Sequence, residues 1–262
     1  MLLYLVVPLL VVVAAVVAEY SGLDLYLARY FFDPATETWP LKDNFFTAGV
    51  LHKGGRDLVL YVMVAILLVF VLSFLSKRVR PYRKGAGYMV LGTLLGPAIV
   101  ALLKHTTHIY TPWNLEIFGG DKPYIRLFDS VPAGLPVGNG FPGGHSSGGF
   151  AFVSLFFLFS VYRPRYRYFG LAFGLFLGAL FAAAQEMRGA HFLSHDLFSL
   201  VICWYAALAV YGVMYLRDRN RYGGAWRPPR SAPSVPVQPR HVHHAAPGDP
   251  PFQGVAGTRA YR

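Results

Sequence analysis

Charged residues are scarce in this chain of 262 residues: Asp, Glu, Lys and Arg make up 14% of it, whereas hydrophobic residues make up 55%. Its mean hydropathy of +0.41 is too apolar for an ordinary soluble domain. The composition therefore predicts a polytopic membrane protein.

Cysteine and acidic residues are also few. The single cysteine, Cys203, excludes an intramolecular disulfide and a Cys-x-x-Cys metal site. Asp and Glu number 13 against 24 Lys and Arg, which gives a net charge of +11. In a soluble protein this charge would suggest nucleic-acid binding, but most of the basic residues here flank apolar runs, where they orient the chain in a bilayer. We therefore expect no nucleic-acid partner.

Six apolar segments approach the roughly 20 residues that a bilayer-spanning helix needs. They are residues 2–17, 58–75, 85–103, 148–161, 169–184 and 197–216. The first lacks the basic start of a signal peptide, so we interpret it as a retained helix. The fourth is short and is expected to begin inside the glycine-rich stretch before it. Residues 1–222 are thus predicted to form one all-α, six-helix membrane domain.

Basic residues predict the orientation, because positively charged short loops stay on the cytoplasmic side. They crowd the second-to-third and fourth-to-fifth links and follow the sixth segment, whereas most acidic residues lie in the other loops. We therefore expect an integral protein of a bacterial inner membrane, with both termini cytoplasmic. The other loops would then share the periplasmic face.

Two regions carry no assigned site. Residues 19–57 mix aromatic and charged residues, and we favour a plain interfacial anchor over a lid or substrate guide. Residues 223–262 are rich in Pro, Gly and Arg and are expected to form a disordered cytoplasmic tail. Its histidines His241, His243 and His244 resemble a metal-binding tract, but a flexible cluster alone assigns no site.

Residues suited to phosphate chemistry gather in the predicted outer loops. They occupy residues 104–112, 141–149 and 185–196. Lys104 ends the third apolar segment. Gly143 and Gly144 precede His145, and such glycines let the backbone approach an anion at a helix start. Together with Ser146, these glycines and Lys104 are predicted to bind phosphate, and His145 is predicted to act as an acid.

The third stretch contains Arg188, His191, His195 and Asp196. If it is helical, Arg188 and His191 share a face, as do His191 and His195. A carboxylate beside an imidazole fixes its tautomer, and Asp196 is the obvious candidate; Glu186 is an alternative that could instead pair with Arg188. A zinc site is the alternative interpretation of this cluster, but the nearby cationic side chains of Lys104 and Arg188 would repel the metal.

These stretches resemble the type 2 phosphatidic acid phosphatase and vanadium haloperoxidase superfamily, in particular its bacterial membrane lipid phosphatases. The pattern of that family is Lys-x6-Arg-Pro, then Pro-Ser-Gly-His, then Ser-Arg-x5-His-x3-Asp. Residues 104–112 match the first motif except that Thr111 replaces Arg. Residues 142–145 match the second except that Gly143 replaces Ser. The resemblance covers roughly residues 50–216.

The third motif matches more loosely. With His191 as its histidine, the Arg position falls on Gln185 and the Asp position on His195, with Asp196 one residue further on. Arg188 lies three residues nearer to His191 than the family arginine and could supply the phosphate contact that the first motif lacks. Whether Asp196 or His195 supports His191 stays open.

The resemblance implies a phosphatase that needs no metal or other cofactor. His191 would attack phosphorus to give a phosphohistidine, and His145 would protonate the leaving oxygen. Lys104 and Arg188 would stabilise the transferring phosphoryl group. A site near the membrane plane favours a lipid phosphate monoester or diphosphate as substrate.

Two other functions are compatible with the same residues. A lipid phosphotransferase would pass the phosphoryl group to a second lipid instead of water. A non-enzymatic transporter or scaffold would use the histidines to conduct protons or to fill a polar cavity. Vanadium-dependent halide oxidation is disfavoured because the chain is short and mostly within the membrane.

Overall fold

The structure is a computed structural model that describes residues 2–216. Eight α-helices follow one another along these residues, and no β-strand occurs among them. They are α1 (Leu2–Tyr20), α2 (Leu23–Phe31), α3 (Gly55–Leu75), α4 (Arg83–Lys104), α5 (Gly144–Phe150), α6 (Ser154–Tyr162), α7 (Arg167–Met187) and α8 (Leu193–Tyr211). The predicted tail of residues 223–262, with its three histidines, lies outside the described residues.

Six helical segments of the described chain are long and apolar enough to cross a membrane, which confirms the predicted all-α membrane fold. The second begins at Phe45 rather than at residue 58, because a π-helical segment, Phe45–Gly54, runs directly into α3. The fourth begins at Gly144, inside the glycine-rich stretch as expected. It consists of α5 and α6 joined by one 3₁₀ turn.

The centre of the bundle is a cluster of buried aromatic side chains. Tyr88 of α4 packs there with Phe156 and Phe157 of α6 and with Ala207 of α8. The Tyr88 hydroxyl lies 3.2 Å from the Ser154 carbonyl oxygen and 3.3 Å from the Ala207 carbonyl oxygen. A buried hydroxyl needs such partners, so Tyr88 ties three helices together in the apolar interior.

Glycines allow several helices to approach each other to backbone contact, as expected for helix packing in membranes. A Cβ atom built on Gly149 of α5 would lie 2.6 Å from the Gly178 Cα atom of α7. A Cβ atom on Gly96 of α4 would lie 2.9 Å from the Cys203 Cα atom of α8. Larger residues would push these helices apart and shift the loops that they carry.

A second buried cluster covers one end of the bundle. We call this region the cap: α2 with residues 32–44 and 105–125, whose buried side chains pack on Phe192. Trp39 is only 7% exposed there, whereas Phe45 is 81% exposed. The interpretation of residues 19–57 as a plain interfacial anchor is therefore wrong for the part around Trp39, since that part has a core of its own.

Replacing Gly149 by Ala should lower the melting temperature of the protein, because the new methyl group meets the backbone of Gly178, which cannot move aside. We expect a loss of about 1 to 3 kcal/mol, the usual cost of overpacking. Thermal unfolding in detergent measures it. Gly148→Ala is the matched control, since a Cβ atom at Gly148 has no neighbour within 4 Å. Equal melting temperatures for both variants would contradict this account.

Candidate active site

Three chain segments meet beneath the cap, where α4 ends, α5 begins and a short link joins α7 to α8. Two backbone hydrogen bonds of 2.9 Å hold the first two segments together, one from Gly138 N–H to the Thr107 carbonyl oxygen and one from Gly140 N–H to the Ile109 carbonyl oxygen. The residues after α4 and those before α5 therefore run side by side. This pairing brings the first two predicted stretches into one place.

Lys104, the last residue of α4, lies against the glycine-rich loop. Its Nζ atom donates to the Pro142 carbonyl oxygen at 3.1 Å. A Cβ atom on Gly144 would lie 3.2 Å from the Lys104 Cε atom, so the loop and the side chain are in close contact. The ammonium group of Lys104 thus lies at the loop that leads into His145.

The link between α7 and α8 is a turn, so the helical arrangement considered for residues 188–195 is wrong. Gly189 has a φ of 74°, a left-handed conformation that ends a helix. His191 precedes α8, which begins at Leu193. Its side chain is therefore directed by the turn and not by a helical register shared with Arg188.

His191 contacts Asp196 and not His195. The His191 Nδ1 atom lies 2.8 Å from Asp196 Oδ1, and Asp196 is only 1% exposed. The same oxygen accepts a hydrogen bond of 2.5 Å from the Ser146 hydroxyl. The Glu186 carboxyl interacts with Asp196 and not with His191. An ionised Asp196 only accepts, so the His191 Nδ1 beside it carries the proton and its Nε2 keeps a lone pair.

His195 packs its ring between two aromatic rings. Its ring centroid lies 5.4 Å from that of Phe141 and 5.3 Å from that of Phe192. Its backbone carbonyl oxygen accepts from Gly143 N–H at 3.0 Å. The expectation that Gly143 offers its N–H to phosphate is therefore wrong, because that donor is already bonded within the protein.

The absence of a side chain at Gly143 makes room for the His191–Asp196 pair. A Cβ atom built there would overlap Asp196 Oδ1 and would lie 2.6 Å from the Ser146 Oγ atom and 3.0 Å from His191 Nδ1. The Ser146 hydroxyl donates its proton to Asp196 and cannot donate it to an anion as well. The backbone N–H of Ser146 is therefore the donor with which this residue could bind phosphate. Gly143 thus serves the pair by leaving space.

Arg188 and Gln185 form a chain of hydrogen bonds beside this pair. Arg188 donates from Nε to the Lys42 carbonyl oxygen at 2.7 Å and from Nη1 to Gln185 Oε1 at 3.0 Å. The Gln185 Nε2 atom lies 2.8 Å from His52 Nδ1. Arg188 therefore pairs with Gln185 and the cap, and not with Glu186.

His145, the second residue of α5, contacts the π-helical segment before α3. Its Nε2 atom lies 3.1 Å from the Leu51 carbonyl oxygen, which can only accept, so Nε2 carries a proton. Its ring stacks on Phe181 at 4.5 Å and meets the His52 ring at 4.6 Å. Sequence reasoning missed Leu51 and His52 because no motif spacing distinguishes them from the rest of the outer loop.

Thr111, which stands at the arginine position of the first motif, makes no polar contact at the site. Its Oγ1 atom is buried, and within residues 2–216 it has no hydrogen-bond partner. The neighbouring Trp113 N–H donates to the Gly189 carbonyl oxygen at 3.0 Å and so fixes this loop to the α7–α8 turn.

Asp24 of α2 holds the start of α8 and was not predicted from the sequence. Its carboxylate accepts from Ser194 N–H at 3.1 Å and from the Ser194 hydroxyl at 2.5 Å. These bonds satisfy a donor of the first turn of α8, as a helix-capping side chain does, although Asp24 comes from a different helix. Burial raises the pKa of Asp24. The cap thus fixes the helix that carries Asp196.

Electrostatics favour a neutral His191. Burial and the positive charges of Lys104 and Arg188 hold the pKa of His191 well below its ordinary value of 6.5. A neutral imidazole with a free lone pair is the nucleophilic form of histidine. Across the described part of the chain, no group of three or more His, Cys, Asp or Glu residues has a geometry that could hold a metal ion.

Two histidines, a carboxylate and two cations lie at one end of a helical bundle whose six apolar segments fit an integral membrane protein. The family follows from the sequence: residues 85–219 match the model of the PAP2 superfamily, and the chain belongs to this family. Members of the superfamily are phosphatases, so the chain is assigned as a phosphoester hydrolase. Comparisons with curated proteins and with solved structures gave no match.

Restoring the family serine at position 143 should harm this protein. In Gly143→Ser the new Cβ atom overlaps Asp196 Oδ1, which must move away from His191. We expect a lower melting temperature in detergent, by the equivalent of about 1 to 3 kcal/mol. Gly148→Ser is the control, since an added Cβ atom at Gly148 has no neighbour within 4 Å and its backbone is helical. A Gly143→Ser protein at least as stable as the wild type would contradict the close packing described here.

Proposed function

We propose that the protein is a metal-independent membrane phosphatase that hydrolyses a lipid phosphate monoester or diphosphate through a phosphohistidine intermediate. The observation that carries this proposal is the 2.8 Å contact between His191 Nδ1 and Asp196 Oδ1, which leaves His191 Nε2 free to attack. Lys104 and Arg188 lie close enough to His191 to act on it electrostatically. Nucleophile, supporting carboxylate and two cations are the parts that phosphoryl transfer to histidine requires.

In the first step, the lone pair of His191 Nε2 forms a bond to phosphorus and the bond from phosphorus to the leaving oxygen breaks. Asp196 keeps the Nδ1 proton in place and stabilises the positive charge that the ring acquires. The two cations stabilise the negative charge on the phosphoryl oxygens in the transition state. The ring therefore becomes phosphorylated without a change of tautomer.

His145 is the proposed acid. The Leu51 carbonyl oxygen holds the Nε2 proton of His145, so His145 acts from its imidazolium form: it transfers the Nδ1 proton to the leaving oxygen and becomes neutral. In the second step water attacks phosphorus, the bond from phosphorus to nitrogen breaks, and the water proton returns to His145. Inorganic phosphate is released and both histidines regain their starting states.

A lipid substrate is proposed from the surroundings of the site. The site lies at the end of the membrane-spanning segments, and the π-helical segment that contacts His145 begins with the exposed side chains of Phe45 and Phe46. Exposed aromatic rings at this depth suit the interface between lipid headgroups and acyl chains. The links at the opposite end of the bundle are rich in Arg and Lys, so we propose that the site faces the periplasm of a bacterial inner membrane and that both termini are cytoplasmic.

His191→Ala should abolish phosphate release, and His145→Ala should lower kcat by about 100-fold or more, the usual contribution of a general acid. The measurement is inorganic phosphate released by purified protein in detergent from a panel of lipid phosphates and diphosphates. His105→Ala is the control, since this exposed histidine follows Lys104 directly but contacts neither His145 nor His191 among the described interactions.

Full activity in both His191→Ala and His145→Ala would refute the mechanism. Inhibition by EDTA that zinc alone restores would refute metal independence. Labelled phosphate recovered in an acceptor lipid, rather than in solution, would identify a phosphotransferase. Substrate uptake without turnover would identify a transporter.

The acid limb of the kcat/KM profile should lie below pH 6.5. A lowered pKa means that His191 stays unprotonated, and hence nucleophilic, as the pH falls through 6.5, and that activity is lost only further down. Lys104→Gln removes one of the charges that lower this pKa, so the acid limb of its residual activity should move to higher pH. A wild-type limb above pH 6.5, or one unmoved in Lys104→Gln, would contradict this assignment.

A further inference from the structure

Gln185 stands where the family pattern has an arginine, and its side chain is almost completely buried, with 2% exposed. Its Oε1 atom accepts from Arg188 Nη1 at 3.0 Å. A guanidinium group can only donate, so the orientation of the Gln185 amide is fixed by this bond. The Nε2 atom of Gln185 is consequently directed at His52.

His52 is the acceptor in this second bond, and this determines its tautomer. Gln185 Nε2 can only donate, so His52 Nδ1, at 2.8 Å, must accept. The proton of the neutral His52 ring is then on Nε2. His52 therefore carries one N–H donor that the bond to Gln185 does not use.

The His52 ring lies among the groups proposed to handle phosphate. Its centroid is 4.6 Å from that of His145, and it is close enough to Arg188 and His191 to interact with both electrostatically. The preceding residue, Leu51, holds His145 through its carbonyl oxygen. His52 is half-buried, so it borders the site without being sealed from it.

The site lacks donors that the family pattern supplies. Thr111 and Gln185 occupy the two positions at which the family has arginine. Arg188 uses two of its N–H groups in hydrogen bonds to Lys42 and Gln185. A phosphate group offers several oxygen atoms that need fixed donors. A histidine beside Arg188 and His145 can provide one more.

We propose that His52 is an additional phosphate-binding residue, held in place by Gln185, which donates a hydrogen bond from Nε2 to a non-bridging oxygen of the phosphoryl group. This inference rests on the proposed phosphatase function. It assigns to the segment before α3 a direct part in binding the substrate. Gln185 is then a positioning residue that acts through His52 and Arg188.

Orthovanadate is a suitable probe, because it adopts the geometry of a transferring phosphoryl group and reports on binding even in the absence of turnover. We expect His52→Ala to weaken vanadate binding by about 10-fold or more, the usual effect of losing a hydrogen bond to a charged group. Binding is measured as stabilisation of the purified full-length protein against heat in detergent, and as inhibition of phosphate release.

Two further variants separate binding from mere packing. His52→Gln places an amide donor near the position of the imidazole Nε2 and should recover part of the vanadate affinity. His105→Ala should bind vanadate as the wild type does, since it is exposed and outside the cluster. Wild-type vanadate affinity in His52→Ala, or the same loss in His52→Gln as in His52→Ala, would overturn the proposal.

Failure of this inference is distinguishable from failure of the proposed function. If the wild type releases phosphate and His191→Ala does not, the proposed phosphatase function is supported, whatever result His52→Ala gives. If the wild type releases no phosphate but is stabilised by vanadate, the effect of His52→Ala on that stabilisation still decides the role of His52. If vanadate neither binds nor inhibits the wild type, the His52 proposal falls; if the wild type also releases no phosphate, both proposals fall.

Discussion

The contact between His191 and Asp196 is the constraint around which this end of the molecule is built. It requires a turn at Gly189 that releases His191 from helix α7, and a helix start at Leu193 that brings Asp196 round to face it. It also requires that no side chain occupies position 143. The interaction is local, but the elements that support it come from the full length of the membrane domain.

The cap helps to hold the residues of the candidate site in place. Asp24 fixes the start of α8, Trp39 packs against Gly189, and the Lys42 carbonyl oxygen holds Arg188. The Leu51 carbonyl oxygen holds His145 in the same manner. Arg188 and His145 are thus each oriented by a backbone oxygen atom of an earlier segment, so these two contacts do not depend on which side chains stand at positions 42 and 51.

The membrane fold could be predicted because it depends on the length and composition of apolar runs, which are properties of the sequence itself. The partner of His191 could not, since Asp196 and His195 differ by one residue and only the turn at Gly189 decides which of them faces His191. His52 could not be predicted either. It reaches the site through a π-helical segment and a hydrogen bond to Gln185, 133 positions away in the chain.

The positions at which this chain departs from the family pattern contact one another. This favours an active site with a modified arrangement over one that has lost its function. The carboxylate moved one residue later reaches over position 143, where a serine would collide with it, and that position is glycine. The lost arginine at position 185 leaves a glutamine whose two polar atoms are both bonded, to Arg188 and to His52. Independent decay would leave buried polar groups unpaired at such positions. Two departures still lack such a compensating contact: the buried Thr111 hydroxyl, and the buried Nδ1 atom of His195 at the family's aspartate position, have no partner among residues 2–216.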